Sequence, residues 1–166
     1  MTSLTIRSAR PSDCADIVAL ITALAEYEKL THILDITPEK LRAQLFAERP
    51  AAEAVVAEVE EAGAGARTVG FALFFSNFST FLCRPGLYLE DLFVLPQYRG
   101  YGVGKALLKH LGRLAVERGC GRFEWSVLDW NEPAMRFYEA MGATVMPDWR
   151  ICRMTGEALR AFASQD

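Results

Sequence analysis

The chain has 166 residues, 51% of them apolar and 23% charged, with a net charge of −3 and a pI near 5.5. That length allows one domain, residues 1–166, with a sizeable core. The mild acidity argues against nucleic acid as a main partner and leaves a cationic substrate open. No apolar segment approaches the ~20 residues needed to cross a bilayer, so no membrane association is expected. MTSLTIRSAR at the N-terminus lacks the apolar run of a signal peptide, and a cytoplasmic location is expected. The four cysteines (Cys14, Cys83, Cys120, Cys152) are scattered, and His32 and His110 are the only histidines. No metal site is expected from that set.

Leu4–Ala9 predicts a first strand, and Pro11-Ser12-Asp13 a helix start. Ile17, Leu20, Ile21, Leu24 and Tyr27 recur at helical spacing to about Leu30. Thr37-Pro38 opens a second helix carrying Leu41, Leu45 and Phe46, which Pro50 closes. Glu53–Glu60 and Thr68–Phe75 predict two strands joined by a loop, Glu61–Ala66. Ser76–Gly86 reads as irregular, punctuated by Pro85-Gly86. Leu87–Leu95 is a further strand, broken by Glu90 and Asp91 and ended by Pro96. A glycine loop, Arg99–Gly104, leads into a helix with Val103, Leu107, Leu111 and Leu114 on one face, ending at Gly119. Phe123–Leu128 predicts a strand, and Asn131-Glu132-Pro133 starts a helix through Met135 and Tyr138 to Gly142. Ala143–Met146 and Trp149–Met154 are short strand candidates, and Gly156–Ala163 a terminal helix. Consecutive strands followed by β/α alternation give an α+β class with a mixed sheet.

The glycine loop carries the chemistry. N–H groups at a helix start have no intrahelical partner, the helix dipole adds positive charge there, and glycines let the backbone approach a ligand. A phosphate or pyrophosphate suits it, with Arg99 and Lys105 as flanking cations. A Walker A loop fails, because Arg99 stands where its first glycine belongs and Ala106 follows Lys105. The dinucleotide fingerprint fails too, because Gly100, Gly102 and Gly104 alternate. A nucleotide-hydrolysing enzyme is therefore disfavoured. On the loop alone, a tight turn with extra glycines is the other reading.

Arg-x-x-Gly-x-Gly after an acidic strand is similar to the pyrophosphate loop of the GNAT acetyltransferases. Four stretches sharpen this: Leu24-Ala25-Glu26-Tyr27-Glu28, Leu87-Tyr88-Leu89-Glu90-Asp91, Arg99–Gly104, and Trp130-Asn131-Glu132-Pro133 with Phe137-Tyr138. Together they resemble the spermidine/spermine (diamine) and thialysine acetyltransferase branch. The resemblance implies a mixed, mostly antiparallel sheet of six or seven strands flanked by helices. It also implies acetyl-CoA as cosubstrate, a small-molecule amine as acceptor, no metal, and a homodimer. It assigns the main chain of Leu92, Phe93 and Val94 to the acetyl and pantetheine groups, and Arg99, Gly100, Tyr101, Gly102, Val103, Gly104 and Lys105 to the pyrophosphate. Asn131, Glu132, Pro133 and Ala134 flank the pantetheine arm.

Direct transfer to an amine needs a base, since a lysine-like amine has a pKa of about 10.4. Glu90, on the strand entering the loop, is the candidate, and the resemblance has it act through ordered water. Tyr138 lies two turns beyond Asn131 and is the candidate acid for the CoA thiolate by resemblance; from the residues alone a core tyrosine fits as well. Tyr27 and Glu28 match the branch's substrate pair. Glu90, Asp91, Glu124-Trp125-Ser126 and Asp148-Trp149 complete a carboxylate-and-aromatic pocket for an ammonium group. Thr80 stands near the position where the polyamine enzymes carry an acid, and Asp148-Trp149 is one residue shorter than their motif. Both departures put spermidine and spermine in doubt, and leave a diamine or polyamine on one side and a shorter amine or an amino acid such as thialysine or lysine on the other as at least equal candidates for the acceptor. A peptide or protein amine, or a non-catalytic acyl-CoA-binding module, are the alternative readings.

Overall fold

The structure is a computed structural model that describes residues 3–61, 63 and 65–164. Contacts divide the chain into two compact units, Met1–Ser126 and Val127–Asp166.

The first unit holds a five-stranded sheet in the order β1 (Leu4–Ser8), β2 (Glu53–Glu61), β3 (Gly65–Ser79), β4 (Arg84–Val94) and β5 (Arg122–Trp125). The first four are antiparallel neighbours; β5 lies parallel to β4. A parallel return needs a crossover, and α3 (Val103–Glu117) is part of it. Helices α1 (Cys14–Glu28) and α2 (Pro38–Leu45) precede β2. Thr37 caps α2 by accepting the Lys40 N–H, 3.2 Å.

Strand alternation sorts the core into two faces. Phe71 and Phe93 pack with Ile17, Leu20, Ile21, Leu41 and Leu45 under α1 and α2. Phe74, Leu87 and Leu89 point the other way, the side on which Arg118, beyond the end of α3, stacks over the Phe74 ring at 5.8 Å. Each such fully buried side chain contributes roughly 1.5–3 kcal/mol. Arg7 ties β1 to β2 and to the start of α1: its guanidinium contacts Asp13 at 2.7 and 3.0 Å and Glu58 at 2.5 and 2.9 Å. Those bonds hold the Asp13 carboxyl below its ordinary pKa.

Several expectations about the elements need correction. Ser76–Gly86 is not irregular: Ser76 to Ser79 pair with Leu87 to Arg84, so β3 and β4 form a long hairpin around a Thr80–Cys83 turn. The loop expected over Glu61–Ala66 narrows to positions 62–64, of which 62 and 64 lie outside the described residues. The sheet has five strands among the described residues rather than six or seven. Ala143–Met146 and Trp149–Met154 form none, because a strand exists only through a ladder and no described strand pairs with them. The FEWSVL strand stops at Trp125.

The second unit carries α4 (Glu132–Ala140) and α5 (Gly156–Ala163). Asn131 caps α4 by accepting the Ala134 N–H at 3.3 Å, and Glu132 pairs with Arg136 one turn on, 2.9 Å.

Candidate active site

The site begins where the β4–β5 ladder ends. Gly86–Leu89 pair with Arg122–Trp125, and among the described residues the ladder on that side stops beyond Leu89. From Asp91 to Val94, β4 is paired with β3 alone among the described strands. The Leu95 N–H donates to Val69 O at 2.9 Å. Antiparallel alternation then makes Phe93 a hydrogen-bonded partner of Phe71, and turns the N–H and C=O groups of Leu92 and Val94 away from β3 into the gap. An extended ligand chain fits such a half-paired strand. Phe93, expected beside them, has its main chain spent on β3 and its ring 4% exposed in the core.

The register also shifts inside the hairpin: Leu73 opposes Asp91 and Phe74 opposes Leu89, so Glu90 opposes no residue. It is the extra residue of a β-bulge, a device that re-aims side chains. Glu90 is exposed.

The gap runs toward the glycine loop. Gly100 and Gly102 both have φ of +81°, conformations that favour glycine. A side chain at either would meet open space, so conformation and not room requires the glycines. Gly102 is the N-cap of α3 and offers no side-chain cap; the first helical bond is Ala106 N–H to Gly102 O, 2.9 Å. The N–H groups of Val103, Gly104 and Lys105 are left for an anion.

Arg99 does not reach out from that loop. Its Nε donates to Val94 O at 3.0 Å, and its guanidinium lies 5.3 Å from the Tyr27 ring centroid and 5.2 Å from that of Phe93. It braces the end of β4 against the last turn of α1.

The α1 side of β4 is acidic beyond the end of the β4–β5 ladder. Asp91 shares the Leu73 face, the side of α1. Burial, then the charges of Glu90 and Glu28, push its carboxyl up to about 6. Burial also raises Glu28. Tyr27 stands at the rim, 45% exposed. On the same face Tyr88 Oη lies 2.7 Å from Ser126 Oγ, and its ring packs on Phe75 at 5.1 Å.

Two residues expected in the pocket are placed otherwise. Glu124 Oε2 accepts from Asn77 Nδ2 at 3.0 Å and lies 2.7 Å from Arg122 Nε, so its charge is committed. Trp125 is in register with Leu89 and contacts Phe123 at 4.9 Å, on the opposite face of the sheet from Glu124 and Ser126.

In the second unit Tyr138 lies on α4 with its ring 5.5 Å from that of Phe137, and Asn131 holds the N-cap. Asp148 and Trp149 lie outside any helix or strand. A cavity of about 300 Å³ near the far end of α3 is lined by Phe46, His110 and Arg118. There Arg118 is held by both Glu53 oxygens at 2.6 and 2.7 Å. Among the described residues, no group of three or more His, Cys, Asp or Glu side chains could hold a metal, and no helix is long and apolar enough to cross a membrane.

A half-paired strand running into a glycine loop at a helix start, beside several carboxylates, suits a transferase that holds an extended, phosphate-bearing cosubstrate. The acetyltransferase (GNAT) family model matches residues 17–143, and the chain belongs to that family. It is 42% identical to the thialysine N-epsilon-acetyltransferase of Mus musculus, over 99% of this chain and 100% of that one. It is 36% identical to an L-ornithine N5-acetyltransferase of Arabidopsis thaliana, over 95% and 86%. An integron cassette protein from the mobile metagenome of V. cholerae has the same fold, with a TM-score of 0.80 at 27% identity over 99% and 100% of the two chains. The protein is an N-acetyltransferase.

Proposed function

We propose that this chain acetylates the side-chain amine of a small diamino acid, of the thialysine or ornithine kind, by direct transfer from acetyl-CoA. The observation that carries the reading is the conjunction of the open β4 main chain with Glu28, Glu90 and Asp91 on the acceptor side.

In this reading the Leu92 main chain and the Val94 N–H bind the pantetheine and acetyl groups, the Val94 carbonyl being held by Arg99, and one of the two N–H groups stabilises the oxyanion. Val103, Gly104 and Lys105 hold the pyrophosphate, with Gly100 and Gly102 shaping the turn. The substrate ammonium is drawn in by Asp91 and Glu28 with Tyr27 at the rim. Glu90 takes its proton through water, and the freed lone pair attacks the thioester carbon. The C–S bond breaks, and Tyr138 returns a proton to the thiolate, whose pKa of about 8.5 makes that help useful but not obligatory. Asn131–Ala134 flank the pantetheine arm. The whole chain acts as one acetyltransferase domain, in the cytoplasm and as a homodimer, by resemblance to the branch.

The test is thiol release from acetyl-CoA against thialysine, ornithine, lysine, spermidine and a lysine peptide, on the native chain and on Tyr138→Phe and Glu90→Gln. Proton-transfer groups typically contribute 10²–10⁴-fold, so each variant is expected to lose about tenfold or more in kcat on a diamino acid. Turnover confined to the peptide would overturn the acceptor; unchanged kcat in both variants would overturn their roles.

A further inference from the structure

Arg99 opens the glycine loop, yet its side chain is built into the α1 side of the site. Its Nε donates to Val94 O at 3.0 Å, and its guanidinium carbon lies 5.2 Å from the Phe93 ring centroid and 5.3 Å from that of Tyr27. Phe93 packs in the core under α1 and α2, so the guanidinium sits on the α1 face of the sheet. The helix whose first N–H groups are left for an anion, α3, ends on the opposite face, where Arg118 stacks over Phe74. An arginine fork held by a carbonyl and two rings is pre-organised where it stands.

What Arg99 holds is the last turn of α1. Ala25 is the last buried residue of that helix, and Tyr27 and Glu28 follow beyond it. Lys29 then ends the helix in the left-handed region, φ 60°, with its N–H on the Ala25 and Glu26 carbonyls. Glu28 is near enough to Asp91 for its charge, with that of Glu90, to raise the Asp91 carboxyl. Like charges on α1 and β4 push the two elements apart. The Arg99 contacts oppose that push, because one reaches the β4 carbonyl of Val94 and another the Tyr27 ring.

We infer that Arg99 is a positioning residue for the acceptor, clasping the Tyr27–Glu28 end of α1 to β4, and not a ligand of the pyrophosphate. A cation–π contact at an exposed site is worth roughly two- to fivefold, and the bond to Val94 O adds to it. This rests on the proposed amine-acetyltransferase reading, in which Tyr27 and Glu28 meet the substrate ammonium, and names what holds them there.

The experiment measures acceptor KM and kcat with ornithine, or with lysine if it is the better substrate. It also measures the Kd of CoA and of pantetheine, which lacks the phosphates. It uses the native chain, Arg99→Gln, Arg99→Lys, Tyr27→Leu and the Arg99→Gln/Tyr27→Leu double variant, with Tm as the control for folding. Arg99→Gln is expected to raise acceptor KM about fivefold or more, with kcat changed less than KM. Its ratio of CoA to pantetheine affinity should stay within about twofold of native, whereas loss of a charged contact to the pyrophosphate would lower that ratio about tenfold or more. Arg99→Lys should match Arg99→Gln, since an ammonium lacks the fork that holds the carbonyl and both rings, while a phosphate ligand would be rescued by it. It also carries the test if Arg99→Gln does not fold. Because Arg99 acts through Tyr27, the double variant should be little worse than Tyr27→Leu alone. Acceptor KM within twofold of native in both Arg99 variants, a tenfold fall in the CoA-to-pantetheine ratio, or effects that add in full in the double variant each overturn the inference. A native chain that binds CoA but turns over no amine overturns the parent reading instead, a result distinct from an active enzyme whose acceptor KM does not move.

Discussion

At the scale of single residues, the partly buried carboxyl of Asp91 costs stability. Its carboxyl is raised to about 6 by burial and by Glu90 and Glu28. For an acid raised on folding, the folded state holds its proton to higher pH than the unfolded chain, so stability falls as pH rises from about 4 to about 6 and stays reduced above. Asp91→Asn is therefore expected to stabilise the ligand-free protein by about 1–2 kcal/mol at pH 7.5, after allowing for partial exposure. The gain should close below about pH 4, while acceptor KM rises. Urea denaturation at the two pH values checks it, and a variant less stable than native at pH 7.5 would sink the account. Asp13, lowered by Arg7, acts with the opposite sign. The acids of the site were legible in the sequence because a carboxylate on an apolar strand is conspicuous. Which of them are available was not. Glu124 is engaged by Arg122 and Asn77, and Trp125 faces away; both depend on the register of β5 against β4, which no local pattern encodes.

At the scale of elements, the glycines separate into two kinds. Gly100 and Gly102 were conspicuous as a motif and serve a left-handed backbone. Gly86 read only as turn punctuation beside Pro85, yet it sits inside β4, paired with Asn77 and Arg122. A Cβ there would come within 2.2 Å of Asn77 Oδ1. Gly86→Ala is expected to cost about 1–3 kcal/mol, the usual range for overpacking, and Asn77→Ala in the same chain should recover most of it. A chemical-denaturation double-mutant cycle reads this directly. A full, undiminished cost in the double variant would show that the strain lies elsewhere. The long β3–β4 hairpin was missed for a related reason: Ser76-Asn77-Phe78-Ser79 lacks simple alternation, and pairing across the strand, not propensity, extends it.

At the scale of the whole molecule, element order and the loop motif sufficed to reach the family, because helix periodicity and glycine spacing are local signals. The strand count did not follow, because Ala143–Met146 and Trp149–Met154 carry strand-like residues without a ladder among the described residues. What joins the loop to the chain's overall stability is linkage. A ligand that binds only the native state adds RT ln(1 + [L]/Kd), about 2.7 kcal/mol at a hundredfold excess over Kd. For a chain of this size each kcal/mol shifts Tm by about 2–4 °C. Acetyl-CoA at that excess is thus expected to raise Tm by roughly 5–10 °C. Gly102→Ala must carry a Cβ at φ +81°, at a cost of about 1–2 kcal/mol. Because the N–H groups proposed to hold the pyrophosphate follow directly from that turn, the variant's shift at the same acetyl-CoA concentration should shrink to a few degrees or less. Scanning calorimetry with and without acetyl-CoA decides it. An equal shift in native and variant would mean that the loop backbone does not hold the phosphates, and would move the cofactor's anchor to side chains such as Lys105.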